Sequence, residues 1–275
     1  MKQNTRLVNQ YLGFMETPSL FIDDVVTGYP CFELYPDNNV PFLDNTAPSN
    51  LMLGKRAERF FQDAVEQSIL YELLGKNLQV QKGKLTLGEL DFLIENLLTK
   101  ERLHVELVYK FYLYDPSLGK EELNRWIGPN RNDSLLQKLK KLKNKQFPLL
   151  LSEEAKKLLN NLEFETSKIK QQLCFKAQLF VPLELVGKPI PRINNKCIMG
   201  HWVSVDEFTL EKYGELRFFA PEKQDWFIEP TKQTEWLGYK ETAERINPQL
   251  KAGKSPLLWM KGEDGSFAKL FLVWW

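Results

Sequence analysis

The chain is short of cysteine, has no long apolar run and carries almost no net charge. Its three cysteines, Cys31, Cys174 and Cys197, are odd in number, far apart and outside any Cys-x-x-Cys, which argues against a disulfide framework or a cysteine-rich zinc site. This usage fits a reducing cytoplasm. Cys197 and His201 are four apart, but no second pair accompanies them, so zinc is not expected. Nowhere do eighteen apolar residues follow one another, and the first six residues run into Leu7 and Val8 and then polar residues, so neither a membrane span nor a signal peptide is expected. Lys and Arg number 37 against 36 Asp and Glu, a formal charge of +1, so no global basic field marks a nucleic-acid binder and only a local basic patch stays open. The glycine-rich nucleotide-binding and nucleophile-elbow signatures are missing, as are repeats and low-complexity tracts.

What is there is a globular composition: 275 residues, 43% hydrophobic, 12% aromatic and 27% charged. We read one main domain with an elaborated C-terminal half, divided at about 182/183. The first fifty residues, with Tyr29-Pro30-Cys31-Phe32-Glu33-Leu34-Tyr35-Pro36, show no sustained period and read as an irregular arm. Leu53, Ala57, Phe60 and Ala64, with Phe61, Val65, Ile69 and Leu73, predict a helix over 53–74 capped by Gly75. Residues 78–81, 87–94 and 103–113 predict a three-stranded antiparallel meander. Asp133 is the expected N-cap of an amphipathic helix with Leu135, Leu139 and Leu142 inside and Lys138, Lys140, Lys141, Lys143 and Lys145 largely outside. A second helix from Glu153 to Leu162 and a strand over 173–181 follow. Beyond 183 come short strands at 198–205, 216–219, 226–228, 257–260 and 267–275, and six of the seven tryptophans.

The strand alternation carries the chemistry. In the third strand Val105, Leu107, Tyr109, Phe111 and Leu113 share one apolar face, and His104, Glu106, Val108, Lys110 and Tyr112 share the other. In the second strand Asp91 shares a face with Glu89. Two carboxylates on neighbouring strands, with a backbone carbonyl between them, offer hard divalent cations part of an octahedron. A cation held there would polarise a phosphodiester and activate water, with a lysine on the developing charge. Periodicity alone favours the plainer reading, a sheet whose polar face is simply solvated.

A helix with Gly54-x-x-x-Glu58, a strand with Gly88-Glu89-Leu90-Asp91, a strand with Glu106 and a following Lys110, and then a helix resembles the core of the PD-(D/E)XK, or restriction-endonuclease-like, nucleases over residues 50–182. In detail, His104 to Leu113, then Gly128-Pro129-Asn130 and the Lys-rich helix ending Lys145-Gln146, look like an uncharacterised bacterial family placed in that superfamily. The resemblance implies an α/β fold with an αβββαβ core on a mixed sheet and an aromatic-rich β extension. It implies Mg²⁺ or Mn²⁺ held by Asp91, Glu106 and the Leu107 carbonyl, Glu58 as an accessory acid and metal ligand, and Lys110 as catalytic lysine. Gln146 and His104 are accessory candidates, and Arg131, Lys138 and Lys141 are candidate phosphate contacts. Two positions depart from the superfamily pattern: the usual lysine position is Val108, two residues before Lys110, and Leu90 stands where a proline is usual. The expected activity is metal-dependent hydrolysis of nucleic acid, DNA first, with no membrane partner. The alternative is an inactive nuclease-fold module that binds nucleic acid or a protein; a carboxylate-pair glycosidase is the third and poorest reading, because it needs a sugar-lined cleft and set carboxylate separations that a sequence does not display.

Overall fold

The computed structural model describes residues 5–34, 43, 51–162, 164–262 and 264–275. The elements in chain order are α1 (Thr5–Glu16), α2 (Leu53–Glu66), β1 (Tyr71–Lys82), β2 (Leu85–Asn96), β3 (Arg102–Tyr114), β4 (Trp126–Ile127), α3 (Leu135–Lys141), α4 (Phe147–Leu149), α5 (Glu153–Asn160), β5 (Ile169–Pro182), β6 (Ile198–Ser204), α6 (Leu210–Tyr213), β7 (Arg217–Phe219), α7 (Tyr239–Lys251), β8 (Leu257–Lys261) and β9 (Phe267–Val273). Among the described residues no helix is long and apolar enough to cross a membrane.

The described residues form a mixed α/β fold on one sheet of nine strands, ordered β1-β2-β3-β5-β6-β9-β8-β7, with β4 on the end of β3. The expected meander is present: β1, β2 and β3 pair antiparallel. From β3 the sheet turns parallel through β5, β6 and β9, and returns antiparallel to β8 and β7. Parallel neighbours need a crossover, and the α3–α5 segment supplies the one between β3 and β5. These two strands pair from Arg102↔Ile169 to Leu113↔Phe180 and are buried on both faces, as central parallel strands are. The sheet therefore runs without interruption across the 182/183 boundary, and the C-terminal half adds strands to its far side.

One face of β3 packs as the alternation requires: Val105, Leu107, Tyr109, Phe111 and Leu113 lie in a core with Phe14, Phe60, Phe61 and Phe271. The other face is not solvated. Val108 and Tyr112 join Leu135, Leu142, Phe147 and Phe175 under the covering helices, and His104 and Glu106 are both 0% exposed. A buried strand face that carries a carboxylate, Glu106, is a different object from a wet one, because burying that charge costs free energy unless something binds it.

Several boundaries differ from the sequence reading. The helix predicted over 53–74 stops at Glu66; Ile69, on its apolar stripe by spacing, is 78% exposed, and Gly75 sits in β1 at a register shift against β2 instead of capping a helix. The arm begins with α1, which buries Tyr11, Phe14 and Met15; its later part bridges to β5 at Ser19↔Lys176 and Cys31↔Leu173, and Tyr35 and Pro36 lie outside the described residues. No strand forms at 226–228, where Trp226 follows a turn and packs edge-on to Phe111 and Phe271. The unforeseen helix α7 buries only Thr242 and Ile246, too narrow a stripe to show in the pattern.

Candidate active site

Asp91 and Glu106 meet because β2 and β3 part. Their ladder ends at Phe92↔Val105, and the N–H of Leu107, two residues further, donates to Asp91 Oδ2 at 3.0 Å. Beyond this point β2 bends toward α4: a Cβ on Gly88 would stand 2.8 Å from Leu149 Cδ2. A side chain there would require the tip of Leu149 to move aside, and glycine lets the two pack without that shift. The wedge between the strands holds the two carboxylates. Burial, then the charge of Glu106, pushes the Asp91 carboxyl up to about 7, against the opposing pull of the Leu107 N–H and Lys138.

The wedge is closed by a helix whose geometry explains why one lysine faces inward. Between α3 and α4 the chain makes a π-helical turn, Leu142–Gln146, in which the Phe147 N–H donates to the Leu142 carbonyl five residues back. Pro148 gives the reason: it has no N–H to donate, and its ring crowds the carbonyl four residues earlier. In a plain α-helix Lys138 and Gln146, eight apart, would sit about 80° from each other; the extra residue of a π turn brings them nearly into line, as residues seven apart are. Lys138 Nζ donates to Gln146 Oε1 at 2.7 Å, and Gln146 Nε2 donates to Glu106 Oε2. Lys138, assigned by its stripe to the outer face, instead turns to the carboxylates; burial lowers its pKa while Asp91 and Glu106 raise it. Lys140, Lys141, Lys143 and Lys145 do lie exposed. The N-cap of α3 is Ser134, whose hydroxyl accepts from the Gln137 N–H, and not Asp133.

Behind Glu106 stands His104. The Gln171 amide donates to the Phe147 carbonyl at 2.8 Å and lies 3.1 Å from His104 Nδ1, which assigns the ring proton to Nε2. That nitrogen is 3.1 Å from Glu106 Oε1, yet misaligned, so among the described residues both atoms are buried without a hydrogen bond. A buried carboxylate oxygen with no donor calls for a cation or an ordered water.

The remaining candidates border the wedge. Glu58 accepts from Lys55 at 2.7 Å on α2, close enough for its charge to raise the Asp91 pKa. Lys110 reaches Asp133 at 2.7 Å, and its charge is felt at Lys138. Arg131 is committed elsewhere, to Asp115 at 2.8 Å and to the Trp275 ring, 3.9 Å from its centroid. Its loop is pinned by the C-terminal half, through Ser255 to Asn130 and Pro129 and through Trp275 to Pro129. The residues missed in the sequence are Gln171 and Lys55; Pro148 was the signal for the inward Lys138.

Among the described residues no three His, Cys, Asp or Glu are gathered as a metal-binding group. Magnesium does not demand one, since it keeps several waters and binds through one or two carboxylates plus substrate phosphate. The partnerless oxygen of Glu106 and the crowding of Asp91 fit such a cation. Replacing Gln146 with Leu strands Glu106 Oε2 and Lys138 and is expected to lower the unfolding free energy by about 1–3 kcal/mol in a urea titration. A titration unchanged from the parent would show that the bridge contributes nothing.

Comparison with curated proteins gives no match, and neither does comparison with solved structures. The model of a family described as a domain of unknown function, DUF1853, matches residues 36–269, and the chain belongs to that family.

Proposed function

We propose that the protein is a divalent-metal-dependent nuclease with a restriction-endonuclease-like core, hydrolysing phosphodiester bonds of nucleic acid, DNA first. One observation carries the reading: two carboxylates from parting strands and one inward lysine converge in a buried wedge, with Asp91 pushed to about 7. The order helix, three antiparallel strands, helices, parallel strand from α2 to β5 supports the same core. Asp91, Glu106 and the Leu107 carbonyl are the residues to hold Mg²⁺ or Mn²⁺, with Glu58 at the border. Such an ion, when bound, polarises a phosphoryl oxygen and lowers the pKa of water. Gln146 fixes Glu106 and Lys138 in place. Lys138 presents its ammonium to the phosphate, where charge grows in the transition state. Lys110 can reach a phosphate only by leaving Asp133, and exposed Lys141 lies on the backbone-contact flank.

Single-turnover cleavage of single-stranded, duplex and branched DNA and of RNA, with Mg²⁺ or Mn²⁺, tests the proposal. Glu106→Gln is expected to lower it by at least ~10³. A second reading, an inactive module of the same fold, is favoured by the pairing of Glu58 with Lys55 and of Lys110 with Asp133. No cleavage together with no heat on Mn²⁺ titration would replace the enzyme with that module.

A further inference from the structure

On the side of the α3–α4 helix away from the carboxylates lies a cavity of ≈ 210 Å³. Its wall is aromatic and aliphatic: Tyr29, from the N-terminal arm, stacks on Phe147 with ring centroids 3.6 Å apart and planes at 14°, and Leu139 lies beside them. Its rim is cationic. Lys140, Lys143 and Arg192 share the lining with one carboxylate, Glu121, and Arg192 also acts on the charge of nearby Glu122, but among the described residues none of the three has an ion-pair partner. Arg192 holds a left-handed backbone, φ 65, a conformation a bulky residue keeps only where its surroundings impose it. Ligand pockets combine apolar walls with a few charged groups that fix orientation, and this one is smaller than the roughly 300 Å³ at which drug-sized sites begin.

We propose that this cavity binds a small planar aromatic anion, with one ring system against Tyr29, which is backed by the fully buried Phe147, and against Leu139, and with its negative group at the Lys140–Lys143–Arg192 rim. The apolar floor selects the ring, and the excess of cations selects the charge. A mononucleotide and an aromatic carboxylate share this chemistry. The site is separate from the proposed nuclease centre but touches it, since Phe147 follows Gln146 and its carbonyl binds Gln171.

Calorimetry on the full chain tests this with AMP, CMP and indole-3-acetate, and with adenosine as the uncharged control. At least one anion should bind with a Kd below about 1 mM and at least roughly tenfold more tightly than adenosine. Binding by the nucleotides alone assigns the site to nucleotides, and binding by indole-3-acetate as well assigns it to aromatic anions at large. The paired change Lys143→Gln with Arg192→Gln, at surface positions that leave the core intact, should weaken binding roughly tenfold or more. Glu106→Gln should leave it unchanged. No binding by any anion overturns the proposal, as does adenosine binding equally well, or binding lost in Glu106→Gln and kept in the paired variant. None of these outcomes depends on whether the protein cleaves nucleic acid.

Discussion

Asp91→Asn is expected to make the protein harder to unfold at pH 8 and unable to cleave. The Asp91 carboxyl rises from 3.8 to about 7 in the native state, so between these pH values the folded protein keeps a proton that the unfolded chain has lost. Stability therefore falls as pH climbs through this window. The penalty is absent below about pH 4 and complete above pH 7, where it is roughly 4 kcal/mol at about 1.4 kcal/mol per tenfold in proton affinity. Asparagine removes the charge yet still accepts from the Leu107 N–H. Allowing for burial of the amide, a gain of ~2–4 kcal/mol at pH 8 should appear as a melting point higher by roughly 4–7 °C. At pH 4 the gain should vanish. Calorimetric melts at the two pH values decide this, and an equal change at both would show that the carboxylate is not destabilised. Mg²⁺ should raise the melting point of the parent and leave that of Asp91→Asn alone. Cleavage should fall by at least ~10³.

Lys138→Met should cost far more activity than Lys110→Met. Lys138 is tied through Gln146 to buried Glu106 and feels the charge of Asp91, whereas Lys110 is held by Asp133 near the surface. Losing an ammonium aimed at the transition state typically costs ~10²–10³ in rate, and an outlying phosphate contact less than ~10. Single-turnover rates with saturating Mn²⁺ compare the two. The reverse order would return the catalytic role to Lys110. Because burial lowers the Lys138 pKa, cleavage should also decline on the alkaline side before an ordinary lysine would titrate.

The strands were legible because their information is local. Val105, Leu107, Tyr109, Phe111 and Leu113 alternate, and any strand buried on one face must alternate so. What the opposite face met was not local: His104 and Glu106 are covered by Phe147 and Gln171, about 40 and 65 residues away in the chain, so a solvated face and a buried site had the same pattern. Lys138 was misplaced because helix faces were counted at 3.6 residues per turn through a segment that contains a π turn. The end of α2 was overrun because Ile69 and Leu73 fall on its stripe by coincidence, one exposed and the other in a strand. Alternation put Asp91 and Glu106 on faces of neighbouring strands and the resemblance paired them, but the end of the ladder at Phe92↔Val105, which opens room between them, left no mark in the pattern.

The position of β9 sets the order of assembly. It is inserted between β6 and β8, both made earlier, and pairs parallel with one and antiparallel with the other. Until residues 267–273 arrive, β6 and β8 each present an unpaired backbone edge, the kind of surface that recruits strands from other chains. The β8 edge closes locally, Lys261 pairing with Phe267, but the β6 edge needs a partner far along the chain, Gly200 pairing with Lys269, which slows folding and lengthens its exposure. The half-made protein is thus the aggregation-prone one, and chaperone dependence during synthesis should ease sharply once β9 is in place.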